Sequence, residues 1–246
     1  LSDEIHEQLD QEGFFSKFHF YNYSLDLTVR NVVFGYDSYL KSLEEKISPH
    51  VVFSVFGPSY WKPKKKHVIG FAKSQYVYIN SPYLKKLSLW NKLKLYIKKK
   101  IHLYNFKNFA DEYITESIDV CEKLKKLVKS DLVHTVTNNC SGIYNNPRLW
   151  KEELKLGKFE GITLLTISAT YPHKNLSIIP DVITYLKSTK PDFNFRFILT
   201  IQDEEFDSLS DDHKKHIEFL GKVNVDECPN LYKQSDIMFL PTLLEC

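Results

Sequence analysis

The chain has no cysteine pair spaced C-x-x-C and no run of 18 uncharged apolar residues. Four cysteines in 246 residues, Cys121, Cys140, Cys228 and Cys246, without that spacing argue against a zinc site and against a disulfide framework, and read as reduced thiols. The lack of a long apolar run, together with the acidic start Leu1-Ser-Asp-Glu, leads us to expect neither a spanning helix nor a signal peptide, which suggests the cytoplasm. A net charge of +2 is too small to mark a nucleic-acid protein. G-x-G-x-x-G, Walker and G-x-S-x-G motifs are missing. His213 and His216 lack the acidic or cysteine neighbours of a metal site, so no metal or cofactor is expected. There is no initiating Met, and the chain stops just after a strand that delivers an acid, so an internal piece of a longer protein is expected, with Leu1 already inside a helix or loop.

What is present is the composition of a globular protein, 43% hydrophobic and 14% aromatic, long enough for two ordinary cores. Strand-like and helix-like segments alternate, the pattern of parallel sheets covered on both faces. In the first half the strands are read at 31–34, 51–56, 67–71 and 132–136, and the helices at 38–47, 83–104 and 114–129, the last with Thr115 as a possible cap. Turn formers crowd 138–147, and the polar stretch 148–160 reads as a linker, dividing the chain into 1–147 and 161–246. The second half repeats the grammar with strands at 162–168, 193–201, 216–221 and a buried one at 236–240, and helices at 175–188 and 225–234. Right-handed crossovers would bring Ser168, Thr200, Gly221 and Pro241 to one sheet edge. Two Rossmann-like domains facing one another would enclose a cleft suited to a small molecule.

Charge is unevenly placed. Lys62, Lys64, Lys65 and Lys66 cluster, and no acidic residue interrupts the lysines from Lys85 to Lys100. There Leu87, Trp90, Lys94, Ile97 and Ile101 recur at spacings of three and four, giving a mostly apolar stripe flanked by lysines. Such a helix would rest on an anionic membrane through residues 85–100, or else present a solvated face over an ordinary core stripe.

Between the first strand of the second half and its helix lies Ser168-Ala-Thr-Tyr-Pro-His-Lys174-Asn175. A lysine at a helix start adds a point charge to free N–H groups, an arrangement suited to a diphosphate. A strand ending in Pro241-Thr242 and then presenting Glu245 aims a carboxylate at the same edge. By contrast, 203–207 reads as a solvated acidic helix start.

In order and spacing, His173-Lys-Asn-Leu176, Phe219-Leu-Gly-Lys-Val223 and Leu231-Tyr-Lys-Gln-Ser-Asp-Ile-Met-Phe-Leu-Pro-Thr-Leu-Leu-Glu245 resemble the donor domain of the group 1 (family 4) retaining glycosyltransferases of GT-B fold. The resemblance covers 162–246, and the first half is similar in organisation to that family's acceptor domain. It implies transfer of a sugar from a nucleotide sugar to a glycan or lipid-linked acceptor with retention at the anomeric carbon, in assembly of a cell-surface polysaccharide. It implies Lys174 on the diphosphate, Glu245 as the first of two glutamates, and Gly221, Lys222 and Val223 beside the base. Ser168, His173, Asn175, Thr200 and Thr242 would complete the donor site, and Gly57-Pro58 would border the acceptor. A departing nucleoside diphosphate gains negative charge, so a fixed cation favours the transition state over the ground state.

Two departures stand out. Where the family commonly carries an arginine after the first donor strand, this chain has Ser168-Ala-Thr170, which puts a second phosphate cation in doubt. The histidine of 67–71 starts its strand instead of ending it, so His67 reads as structural or superficial. An epimerase or phosphorylase on the same fold, and a catalytically silent nucleotide-sugar-binding or scaffolding domain, remain open.

Overall fold

The computed structural model describes residues 18–21, 23, 27–206 and 209–245; Leu1, Asp207 and Cys246 lie outside them. Cys121, Cys140 and Cys228 are free cysteines.

Among the described residues the first helices are α1 (Val29–Phe34) and α2 (Ser38–Ile47). The sequence reading makes 31–34 a strand, and the structure corrects it. Thr28 and Asn31 form a reciprocal capping box, and Gly35 ends the helix at φ 61°. These caps override the β-branched run Val32-Val33 because they satisfy amide and carbonyl groups that a helix end otherwise leaves bare.

Strand β1 (Val51–Ser54) is followed by β2 (Lys66–Gly70), α3 (Ser74–Val77), α4 (Pro82–Lys86) and α5 (Leu89–Phe109). The helix expected over 83–104 is therefore two. Leu87 is extended, and the Ser88 hydroxyl caps α5 by accepting from the Asn91 amide at 3.3 Å. Next come β3 (Glu112–Thr115), α6 (Ile118–Val128) and β4 (Val133–Thr135). Thr115 does not cap a helix. It is a buried strand residue, and Ser117 caps α6 at the Val120 amide. The four strands form one parallel sheet in the order β1-β2-β3-β4. Its core gathers Ile69, Phe71, Tyr76, Phe106, Tyr113 and the inner face of α6.

The second half contains β5 (Ile162–Thr166), α7 (Ile179–Thr189), β6 (Phe195–Leu199), α8 (Asp211–Lys214), β7 (Ile217–Phe219), α9 (Cys228–Lys233) and β8 (Ile237–Met238). Its sheet is parallel in the order β7-β6-β5-β8. Successive residues of β5 and β6 serve opposite cores: Leu164 and Phe197 pack with Ile179 and Ile183, while Leu165 and Ile198 pack with Leu231. Burial on both faces is why these strands are mostly apolar, with Thr163 and Thr166 in β5 and Arg196 in β6 as the polar exceptions. The strand expected to be buried at 236–240 differs. Among the described residues it pairs only with β5, along one edge, and Ile237 and Met238 are 47% and 53% exposed.

Part of the expected linker is not a free tether. The carbonyl of Leu154 accepts from the Asn230 and Gln234 side chains, the Leu156 amide donates to Gln234 Oε1, and Leu154 and Leu156 pack onto the Leu165, Ile198 and Leu231 cluster.

Candidate functional site

Thr166, at the end of β5, donates from Oγ1 to the Phe239 carbonyl at 2.5 Å, so the chain after β8 emerges beside the chain after β5. Just past β5 the Ser168 amide donates to Thr200 Oγ1 at 3.2 Å, and the Gly221 amide donates to the Ile201 carbonyl at 3.1 Å. The carboxyl ends of β5, β6, β7 and β8 thus converge as the parallel pattern predicts. Gly221 is needed in its place. It has φ 70°, and a Cβ there would lie 2.4 Å from Gln202 Nε2.

Two loops meet at this edge. One is the 3₁₀ turn Pro172–Lys174; the other is 241–245. The Leu243 amide donates to the His173 carbonyl at 2.8 Å, and Thr242 Oγ1 lies 3.2 Å from the same carbonyl and 2.9 Å from Glu245 Oε1. Lys174 Nζ donates to Glu245 Oε1, pairing the two side chains that the sequence marks as carriers of charge; they are 22% and 45% exposed. Partial burial is the largest single influence on the Glu245 carboxyl and opposes its ionisation. Hydrogen bonds from Lys174 and Thr242, with the charges of Lys174 and His173, outweigh burial and hold it below the usual carboxylate range.

One expectation fails here. Lys174 does not stand at the N-terminus of an α-helix. Asn175 takes the left-handed conformation at φ 56°, a second 3₁₀ turn follows at Leu176–Ile178, and α7 begins only at Ile179. The Lys174 and Asn175 amides are used within the turn, by the Tyr171 and Pro172 carbonyls. Any anion bound at Lys174 is therefore held by the ammonium and not by helix-end amides.

Residues Thr242, Leu243, Leu244 and Glu245 face the first half across a cleft of about 550 Å³, which Lys174 itself does not line. Its other wall is Val77 to Pro82 with Lys123. Lys123 is paired with Asp119, and Tyr78 Oη donates to Asp119 Oδ2 at 2.6 Å. A second cleft, of about 410 Å³, is lined by Ser74, Gln75, Tyr83, Asn91, Lys94 and Lys98 of the first half, and by His173 and Leu244 of the second. The His173 ring stacks on Tyr171 and meets Tyr83 edge-on, at centroid distances of 5.7 and 6.0 Å.

The structure thus brings together His173, Lys174, Thr242 and Glu245, and joins Ser168 to Thr200. Other expected residues sit elsewhere. Val223 packs against the Leu165, Ile198 and Leu231 cluster, and its neighbour Lys222 is exposed. Gly57 is buried, with Phe106 and Ile69 so close that a Cβ would lie 2.5 and 2.6 Å from them; neither Gly57 nor Pro58 lines either cleft. Gly57 is a packing residue because no side chain fits there. His67 is structural, as the sequence suggests: it is buried, hydrogen-bonded to Ser54 Oγ and the Phe109 carbonyl, and its burial lowers its pKa. Sequence reasoning missed the wall 77–82. Its one signal is the Asn80-Ser81-Pro82 turn that starts α4.

No family model matches this chain, and no curated protein matches it in sequence. Among solved structures, a glycosyltransferase from Rickettsia africae ESF-5 superposes with a TM-score of 0.57 at 14% identity, over 96% of this chain and 62% of that one. Anabaena HepE in complex with UDP gives 0.44 at 19% identity, covering 70% of this chain and 46% of that one. The S. aureus MnaA–UDP co-structure gives 0.42 at 12% identity, covering 87% and 57%. The chain shares the fold of the Rickettsia glycosyltransferase, two parallel-sheet α/β domains across a cleft, and spans less than two thirds of its length.

Proposed function

We propose that this chain carries the nucleotide-sugar site of a retaining glycosyltransferase that transfers a hexose to a glycan or lipid-linked acceptor. The observation that carries the reading is the pairing of Lys174 with Glu245 at the carboxyl edge of the second sheet, where Glu245 lines a cleft whose opposite wall belongs to the first half. On this reading the Lys174 ammonium turns to the diphosphate as the glycosidic bond breaks, stabilising charge that grows in the transition state. Glu245, released from Lys174, accepts hydrogen bonds from sugar hydroxyls, and its charge suits a sugar that becomes oxocarbenium-like. Thr242, which touches both the His173 carbonyl and Glu245, positions the carboxylate. The acceptor enters from the side of Val77 to Pro82. Lys94 and Lys98 in the second cleft suit an acceptor with a phosphate. The setting we propose is the cytoplasmic side of a membrane where a surface polysaccharide is assembled.

The test is a panel of nucleoside diphosphates and nucleotide sugars, read by thermal shift and then by transfer with the stabilising donor, using the full-length protein. Lys174→Ala should lower turnover by roughly 10²-fold. No stabilisation by any member of the panel, or wild-type turnover in the variant, would refute the assignment.

A further inference from the structure

The inner face of α5 is packed: His102, Asn105, Phe106 and Phe109 are buried, and Leu95 lies against the first core. Its outer face is apolar as well. Leu89, Trp90, Leu93, Ile97, Ile101 and Tyr104 are all exposed, Trp90 to 63% and Leu89 to 86%. With 3.6 residues per turn these six fall on one side of the helix, opposite the core. The structure therefore overturns one of the two readings open for the stripe at Trp90, Ile97 and Ile101: it does not cover the core.

Lysines frame the exposed stripe. Lys92 flanks it on one side and Lys94 and Lys98 on the other, while Lys100 and Lys107 stand on the face itself. Lys94 Nζ lies 5.4 Å from the Trp90 ring centroid, and Lys100 Nζ lies 5.4 Å from that of Tyr96. Lys99 belongs to the interior side, donating to the Tyr76 carbonyl at 2.8 Å. Residues 46–110 contain fourteen lysines and no aspartate or glutamate, in a chain of net charge +2. No acid within that segment neutralises the patch.

Among the described residues no helix is long and apolar enough to cross a membrane. A contiguous apolar surface of this kind marks an interaction site. A polyanion such as nucleic acid would satisfy the lysines but leave the aliphatic side chains in water. An anionic bilayer satisfies both, through its headgroups and its acyl boundary. We propose that the outer face of α5 docks this protein on an anionic lipid bilayer, with Trp90, Leu93 and Ile97 entering the acyl boundary and the surrounding lysines meeting lipid phosphates. The surface stands independently of the nucleotide-sugar reading. If both hold, the cleft lined by Asn91, Lys94 and Lys98 of this same helix is brought to an acceptor anchored in that bilayer.

The test is sedimentation with vesicles of phosphatidylcholine alone and of phosphatidylcholine mixed with phosphatidylglycerol. Binding is expected to the mixed vesicles only. The triple variant Lys92→Glu, Lys100→Glu, Lys107→Glu should lower partitioning by on the order of 10²-fold or more. Lys190→Glu with Lys215→Glu, exposed in the second half, should leave it unchanged. Leu93→Ser with Ile97→Ser should weaken binding while keeping the wild-type unfolding temperature, since both side chains are exposed. Brominated lipid should quench tryptophan emission in the wild type and lose that component in Trp90→Phe. Equal binding to neutral vesicles, retention by the triple charge variant, or no quenching from Trp90 overturns the proposal. So does binding of a single-stranded oligonucleotide through the same lysines without vesicle binding.

Discussion

Because Glu245 holds Lys174 when no ligand is present, removing its charge should move two related ligands in opposite directions. The pair is partly exposed, at 22% and 45%, so its contribution to folding is at most about 1 kcal/mol. Glu245→Gln should therefore scarcely change the unfolding midpoint. A nucleoside diphosphate bound to Lys174 would place its negative charge beside the Glu245 carboxylate, because the two side chains are in contact. Between partly exposed charges the repulsion removed by the glutamine is about 1 kcal/mol, or about fivefold in Kd. The matching nucleotide sugar gains the same relief but loses hydrogen bonds from its hydroxyls to a charged acceptor, worth about 1.5–3 kcal/mol. The ratio of the two affinities should thus fall by roughly ten- to a hundredfold in Glu245→Gln. Lys174→Met should weaken both ligands about equally. Titration calorimetry with the diphosphate and its sugar conjugate measures each quantity. The pH dependence adds a check. The Glu245 carboxyl is held below its ordinary value, so its interaction is present above the usual glutamate range and is lost only as pH falls through the lower, folded-state value. If Glu245→Gln shifts both ligands by the same factor, Glu245 does not face the sugar.

Two further expectations follow from the first half and from the connection between the halves. His102 is buried between the Tyr60 and Tyr76 hydroxyls, at 3.1 and 2.8 Å, and burial, then Lys98 and Lys73, push its pKa down to about 4. A depressed folded-state value makes its contribution complete above the unfolded value of about 6.5 and lost as pH falls towards 4, amounting to about 3 kcal/mol; urea unfolding of His102→Gln should show a correspondingly flatter pH dependence than the wild type, and parallel curves would contradict the argument. Limited proteolysis should cut first within 138–149, where nearly every residue is exposed, and not at 151–157, which is hydrogen-bonded and packed onto α9 and its cluster; first cuts between Ile162 and Ile201 would place the boundary elsewhere.

The sequence by itself was enough for the class of fold. Two series of strands and helices, apolar runs at 162–168 and 193–201, and Gly221 at a turn all correspond to parallel β5, β6 and β7 with both faces covered. It was also enough to expect Lys174, Thr242 and Glu245 at one edge, where the structure brings them into contact, because a parallel sheet carries the residues after each strand to the same side whatever the intervening lengths. It failed where short-range capping competes with strand propensity. Thr28 and Gly35 make a helix of Val29–Phe34, and Ser88 and Ser117 start helices that periodicity alone places earlier. It failed again where a side chain's neighbours are distant in the chain. That 77–82 faces 242–245, that Gly57 is pressed against Phe106, and that the apolar stripe of α5 points outward depend on how the two sheets and their helices meet. Periodicity reports that a helix has an apolar face, but α5 has two, and only packing against Ile69, Phe71 and Tyr113 decides which one is left in contact with the surroundings.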